Sequence, residues 1–349
     1  MSATWGKTLN TRSIKRSLAA VGLASALAAQ PALAGPFSAL YVFGDSLSDS
    51  GNNSSVFGGN PLQVITGNTY LGSWKTYGPV PLGTYSNGPV WASYLASSLG
   101  VSALPSLLPG GTNYAYGGAT TSGGDAASLL VPNLLAQTST FLLANSNVAP
   151  ANALYVVAGG SNNARITFGE VATQTDPGIV SSVIGTAATT YAADVGSIVD
   201  QLQAAGAQNI IVWNPLNLGL TPWLKSVPVT ASGLTGSQLG SSIAGSFNNA
   251  LASRLTGEAG VKLFDLSAFM GNVVSNPAAN GLTDVANACG AGLADCATSL
   301  YYDAIHPTTF AHQKVADAVY ALAVPEPSEL AMMALGLFVV VGASRRTPA

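Results

Sequence analysis

Four stretches of the chain carry apolar residues almost without interruption: 39–43, 153–158, 209–213 and 261–264. They are short and rich in Val, Ile, Phe, Tyr and Trp, the composition of β-strands. Between them, 191–205 and 238–255 repeat apolar residues at helical spacing, and 309–322 reads as a terminal helix. Strands that are apolar on both faces and separated by helices predict a parallel sheet covered on both sides. The expected fold is one α/β domain over residues 35–323, a three-layer α/β/α sandwich with a central parallel sheet. Stretches 54–90 and 226–241 break the periodicity and read as loops or insertions. Open parallel sheets bind ligands beyond the carboxyl ends of their strands, so the residues just after each run are where chemistry belongs.

The two ends follow other rules. Lys7, Arg12, Lys15 and Arg16 precede an apolar run at 18–29, and Ala32-Leu33-Ala34 supplies small residues before Gly35. A basic flank, a short apolar core and an A-x-A site make 1–34 a secretory signal peptide. At the other end, Pro325-Glu326-Pro327 precedes an apolar stretch at 330–343, closed by Arg345 and Arg346. That stretch falls short of the roughly 17–25 residues a bilayer span needs. The order Pro-Glu-Pro, hydrophobic segment, Arg-Arg resembles the PEP-CTERM sorting tail of exopolysaccharide-producing Gram-negative bacteria. The resemblance implies that 324–349 anchors the chain transiently in the inner membrane until an exosortase-type enzyme processes it. The expected destination is the periplasm, the outer surface or the extracellular matrix, with exopolysaccharide as a candidate associate.

Charge narrows the partners. Only 8% of residues are charged, against an average of about 25%. Between the two ends lie six basic and thirteen acidic residues, a net charge of about −7. An acidic product without a basic patch is a poor candidate for binding nucleic acid or anionic lipid surfaces. The two cysteines, Cys289 and Cys296, stand seven apart in a Gly/Ala-rich stretch. In an exported chain with only two histidines, a disulfide is the expectation and a metal site is not.

Candidate chemistry follows the first strand directly, in Gly44-Asp45-Ser46-Leu47-Ser48-Asp49-Ser50-Gly51-Asn52. Small residues around Ser46 let a turn expose its hydroxyl, which becomes a nucleophile once a base takes its proton. Alone, the segment reads equally well as a strand-to-helix turn. The base is sought in Asp303-Ala304-Ile305-His306-Pro307, just before the last helix. An Asp three residues ahead of a His can accept from Nδ1 and leave Nε2 facing the nucleophile. The other histidine, His312, lies within the predicted helix and reads as a surface or half-buried side chain. Two turns offer oxyanion donors: Asn113-Tyr114-Ala115-Tyr116-Gly117-Gly118-Ala119-Thr120, and Gly159-Gly160-Ser161-Asn162-Asn163. Either by itself is an ordinary Gly/Asn loop.

These four blocks, in this order, resemble the GDSL lipase/esterase family, also called SGNH hydrolases. The resemblance implies the flavodoxin-like SGNH-hydrolase sandwich, Ser46 as nucleophile, Asp303 and His306 as its partners, and an oxyanion hole of Ser46, Gly118 and Asn162. No metal or organic cofactor is called for. Tyr85-Ser86-Asn87-Gly88-Pro89-Val90-Trp91 and Asn214-Pro215-Leu216-Asn217-Leu218-Gly219 also look like this family's larger members. One position departs: Asn163 stands where the family usually has Asp, which puts the support of Asn162 in question. Asp45 is expected to be a structural or turn-forming residue. No run of alternating strands follows His306 to build the barrel of the autotransporter variant.

The implied function is that of an exported serine esterase or lipase acting on a small-molecule or lipid ester. Deacetylation of extracellular or cell-surface polysaccharide is the alternative, and a non-catalytic surface or matrix protein on the same fold is the alternative from another class.

Overall fold

A computed structural model describes residues 35–58, 63–73, 75–77, 82–126 and 128–324. The two segments read as signal peptide and sorting tail lie outside them, apart from Val324. In chain order the strands are β1 (Leu40–Gly44), β2 (Lys75–Tyr77), β3 (Leu82–Thr84), β4 (Leu154–Ala158), β5 (Asn209–Trp213), β6 (Val261–Phe264), β7 (Asp284–Ala288) and β8 (Ser299–Tyr301). The helices are α1 (Asn52–Phe57), α2 (Trp91–Leu99), α3 (Leu134–Ala144), α4 (Ser161–Val171), α5 (Pro177–Ala204), α6 (Pro222–Ser226), α7 (Gly236–Arg254), α8 (Leu266–Ser275) and α9 (Thr309–Ala323).

The four predicted apolar runs form one parallel sheet in the order β1-β4-β5-β6, registered Val42 to Val156, Val156 to Ile211 and Val212 to Leu263. All five residues of β4 are buried, as a central strand with helices on both faces requires. β6 is an edge strand, which is why Lys262 and Leu263 face solvent. Beyond β1 the chain adds an irregular fifth strand. Val42 N–H donates to Thr112 O, Tyr114 N–H to Val42 O and Tyr116 N–H to Gly44 O. This docks the 113–118 block against the end of β1.

Three sequence expectations need correction. The helix expected over 191–205 begins at Pro177, because Asp176 caps it by accepting from the N–H groups of Gly178 and Ile179, and Pro177 opens its first turn. Its first half is rich in Gly, Ser and Thr, weak helix formers that hide the period. The stretch 226–241 is a loop only as far as Thr235, which starts α7 with a capping box to Gln238. Likewise 54–90 is not all loop, since it holds most of α1 and the β2–β3 hairpin. No helix among the described residues is long and apolar enough to cross a membrane.

Candidate active site

Gly44 ends β1 under tight constraint, because a Cβ there would lie 2.5 Å from Ala158 O and 2.9 Å from Ser48 Oγ. Gln137 clamps its peptide from α3, accepting from Gly44 N–H at 2.8 Å and donating to Gly44 O at 2.9 Å. The chain then turns on Asp45, whose carbonyl accepts from Ser48 and Asp49 N–H and whose Oδ1 accepts from Leu47 N–H. This turn presents Ser46.

Its hydroxyl lies 2.9 Å from His306 Nε2, across 260 residues of sequence. His306 Nδ1 lies 2.7 Å from Asp303 Oδ2. Asp303 Oδ1 accepts from the N–H groups of Ile305 and His306 at 2.9 and 2.7 Å. Both side chains are buried, with Asp303 1% and His306 3% exposed. A proton on Nδ1 directed at the carboxylate would leave Nε2 a lone pair for the Ser46 O–H.

Ser46, Asn162 and His306 share a cleft with Leu47, Ser161, Arg165, Leu216, Leu218 and Ile305. Gly118 is not among the cleft-lining residues but lies one residue from its edge, since Asn162 Nδ2 donates to Ala119 O at 2.9 Å. Gly118 adopts φ +89°, a conformation that glycine alone reaches without strain. The N–H groups of Ser46 and Gly118 have no acceptor among the described residues.

The model of the GDSL-like lipase/acylhydrolase family matches residues 40–319. The chain belongs to this family. As a GDSL enzyme it is a carboxylic ester hydrolase. Among its relatives is a GDSL esterase/lipase of Arabidopsis thaliana, 24% identical over 81% of this chain and 88% of that protein. Esterase EstA of Pseudomonas aeruginosa is 28% identical over 92% of this chain and 52% of its own length. Lipase 1 of Photorhabdus luminescens is 30% identical over 57% of this chain and 25% of that protein. The chain thus spans about half the length of the Pseudomonas esterase.

Within the GDSL frame, the unassigned motif positions act as fasteners. Asp49 accepts from Gly51, Asn52, Asn53 and Gly117 N–H. Asn52 Nδ2 donates to Asn113 O and Ala115 O, and Asn53 Nδ2 to Gly117 O. The first block is thereby stitched to the Gly118 block. Burial pushes the Asp49 carboxyl up to about 6 against the pull of these donors. Burial does the same to Asp45, also to about 6, with the lowering pull of Leu47 N–H second. Asp45 is a turn former.

The family-like segments found by reading the sequence also acquire roles. Ser86 Oγ donates to Pro307 O, Asn87 Oδ1 accepts from Thr309 N–H, and Gly88 leaves no room for a Cβ beside Thr309. They cradle the His306 loop. The Tyr85 ring fills the space beside Gly117, and its centroid lies 5.2 Å from that of the His306 ring, a role that the sequence does not reveal. From the other segment, Leu216 and Leu218 supply the apolar side of the cleft.

Asn163 is integrated rather than vacant. Its Oδ1 accepts from Thr121 N–H and its Nδ2 donates to Thr121 Oγ1, which itself donates to Asp194 Oδ2. A carboxylate thus still serves this loop, supplied from α5. His312 corrects the expectation of a surface or half-buried side chain, being only 2% exposed. It shares the inward stripe of α9 with Val315, Ala316 and Val319, and burial drives it down to about 3, helped by His306. Cys289 and Cys296 are joined in a disulfide.

Proposed function

We propose that this enzyme hydrolyses carboxylic esters through an acyl-enzyme on Ser46, and the observation that carries the reading is the hydrogen-bonded row Ser46–His306–Asp303. His306 Nε2 removes the Ser46 proton as Oγ bonds to the ester carbonyl carbon. The carbonyl oxygen becomes an oxyanion, received by the N–H groups of Ser46 and Gly118 and by Asn162 Nδ2. Each such donor contributes about 3 kcal/mol to the transition state. The imidazolium, stabilised by its hydrogen bond to Asp303, returns its proton to the departing alkoxide. Water then enters by the same route in reverse and releases the acid.

Leu47, Leu216, Leu218 and Ile305 give the cleft an apolar wall, which favours esters whose acyl group is hydrocarbon. A second reading, removal of acetyl groups from extracellular polysaccharide, draws on a larger groove beside the cleft. That groove carries Thr120, Ser122, Asn163, Ser182 and Thr186, and Asp125, another of its lining residues, is ion-paired at 3.0 Å with Arg165 of the cleft. Hydroxyl and amide groups of this kind suit a sugar. We also propose export, supported by the basic and apolar start of the sequence and by a disulfide, which persists in oxidising compartments. The Pro-Glu-Pro tail supports exosortase-type processing, and the Pseudomonas relatives fit a Gram-negative setting.

The test is hydrolysis of aryl esters from two to twelve carbons, run beside an acetylated glycan, on the wild type, Ser46→Ala and His306→Ala. The expected loss is on the order of 10,000-fold or more for either variant. Activity surviving both substitutions contradicts the mechanism, and a preference for the glycan selects the second reading.

A further inference from the structure

Asp303 is held by more than its own loop. Its Oδ2 accepts from two directions: His306 Nδ1 at 2.7 Å and the Gly72 N–H at 2.8 Å, the latter 231 residues away in sequence. The other oxygen is satisfied by the local N–H groups of Ile305 and His306, which rotate with the loop itself. Gly72 is therefore the donor that ties the carboxylate to a separate part of the molecule. A Cβ on residue 72 would overlap Asp303 Oδ2 and lie 3.2 Å from Gln63 Nε2. Its φ lies outside the left-handed range, so glycine is needed there for closeness and not for conformation.

The segment carrying Gly72, residues 63–73, is itself pinned. Gln63 Oε1 accepts from Ser73 N–H and Oγ, and Gln63 Nε2 donates to Ser73 O. Asn68 Oδ1 accepts from Ala288 N–H at 2.8 Å, and its Nδ2 donates to Asn287 Oδ1 at 3.0 Å. Ala304 N–H donates to Tyr70 O at 3.1 Å. Ile65 packs with Ala288, Cys289 and Tyr302 in a small apolar cluster separate from the main core, with Tyr70 and Cys296 at its margin. Gly290 is so close to Ile65 and Tyr302 that a Cβ would meet both. The Cys289–Cys296 bridge closes the loop on which this cluster rests.

We propose that residues 63–73 form a strap, anchored on the disulfide loop, whose Gly72 N–H fixes the Asp303 carboxylate against His306; Gly72 is a positioning residue. The proposal rests on the reading of Ser46, His306 and Asp303 given above. The strap touches no cleft-lining residue through these bonds, so its loss should lower kcat and leave KM alone. Misplacing a reacting group by about 1 Å costs on the order of 100-fold.

The test is full-length Gly72→Ala, with Val64→Ala as a control on an exposed strap position (69% exposed). Gly72→Ala is expected to lose about 10- to 100-fold in kcat at unchanged KM. It should also shift or weaken the downfield proton resonance of the His306 Nδ1–H to Asp303 hydrogen bond. Val64→Ala should leave both unchanged. Should Gly72→Ala not fold, Asn68→Ala and the double variant Cys289→Ser/Cys296→Ser decide, each expected to lower kcat several-fold with the same resonance change. Wild-type kcat and resonance in a folded Gly72→Ala, or in both of the latter variants, overturn the proposal. An inactive Ser46→Ala in the same series keeps that result separate from any failure of the underlying mechanism, which an active Ser46→Ala alone would bring down.

Discussion

Ser46 and His306 meet at 2.9 Å, yet they are held there by different kinds of structure. Ser46 stands at the end of β1, between β4 and the irregular strand at 112–116, with Gln137 and Asn113 bonding its turn from either side. Its position is a consequence of the sheet. His306 and Asp303 lie on a loop between β8 and α9, outside the main sheet, and are cradled by 85–88 and by the 63–73 strap. Their position depends on a few polar bonds between loops. Damage near Ser46 should therefore appear as lost stability, whereas damage near His306 should appear as lost turnover in a protein that still folds.

The largest expected effect lies on the loop side. Asp303→Asn keeps the shape but loses the charge and the acceptor that orients His306 Nδ1. It should lower kcat by about 10,000-fold with a melting temperature close to the wild type; near-normal turnover would show that Asp303 does not orient the base. On the sheet side, Gly44→Ala forces a Cβ against the backbone oxygen of Ala158. Denaturant unfolding should reveal a loss of about 1–3 kcal/mol, while the fraction that remains folded keeps most of its activity. A large kcat loss without destabilisation would erase the contrast. Asn87→Ala removes the acceptor for Thr309 N–H and should cost a few-fold in kcat and about 1 kcal/mol or less.

The smallest effect concerns pH. His312 is held down to about 3 in the fold by burial, against about 6.5 in an unfolded chain. The unfolded state therefore binds the extra proton first, and His312 removes stability as pH falls from about 6.5 toward 3. Asp45 and Asp49, raised to about 6 by burial, act in the opposite sense between about 6 and 3.9, since there the folded state binds protons first. His312→Gln removes only the first contribution. Relative to wild type, its melting temperature should rise between pH 7 and pH 4.5; a constant difference would show that His312 is not buried neutral.

The same contrast explains what could be read from the sequence. The four central strands announce themselves because burial on both faces demands unbroken apolar runs, and Ser46 follows the first of them directly. Asp303 and His306 were findable because only two histidines exist and one has an Asp three residues ahead. Of the supports of that pair, only the family-like segment at 85–91 was findable. Gly72 and Asn68 act through a backbone N–H group and a single amide across more than 200 residues, and no period or local spacing encodes such a contact. Asp194 as the carboxylate behind Asn163 is hidden for the same reason, placed by helix packing 31 residues on. The buried His312 escaped because one polar residue in an otherwise inward helical stripe looks like an interruption of it.

We propose Ser46 as the nucleophile and His306 as the base that activates it. The most direct test of this assignment is treatment of the purified protein with a fluorophosphonate, followed by intact mass and peptide mapping. The expected result is one adduct per chain, on Ser46, formed rapidly in the wild type, absent in Ser46→Ala and slowed by orders of magnitude in His306→Ala. An adduct mapped to another residue, or labelling of Ser46 at the same rate without His306, would contradict it.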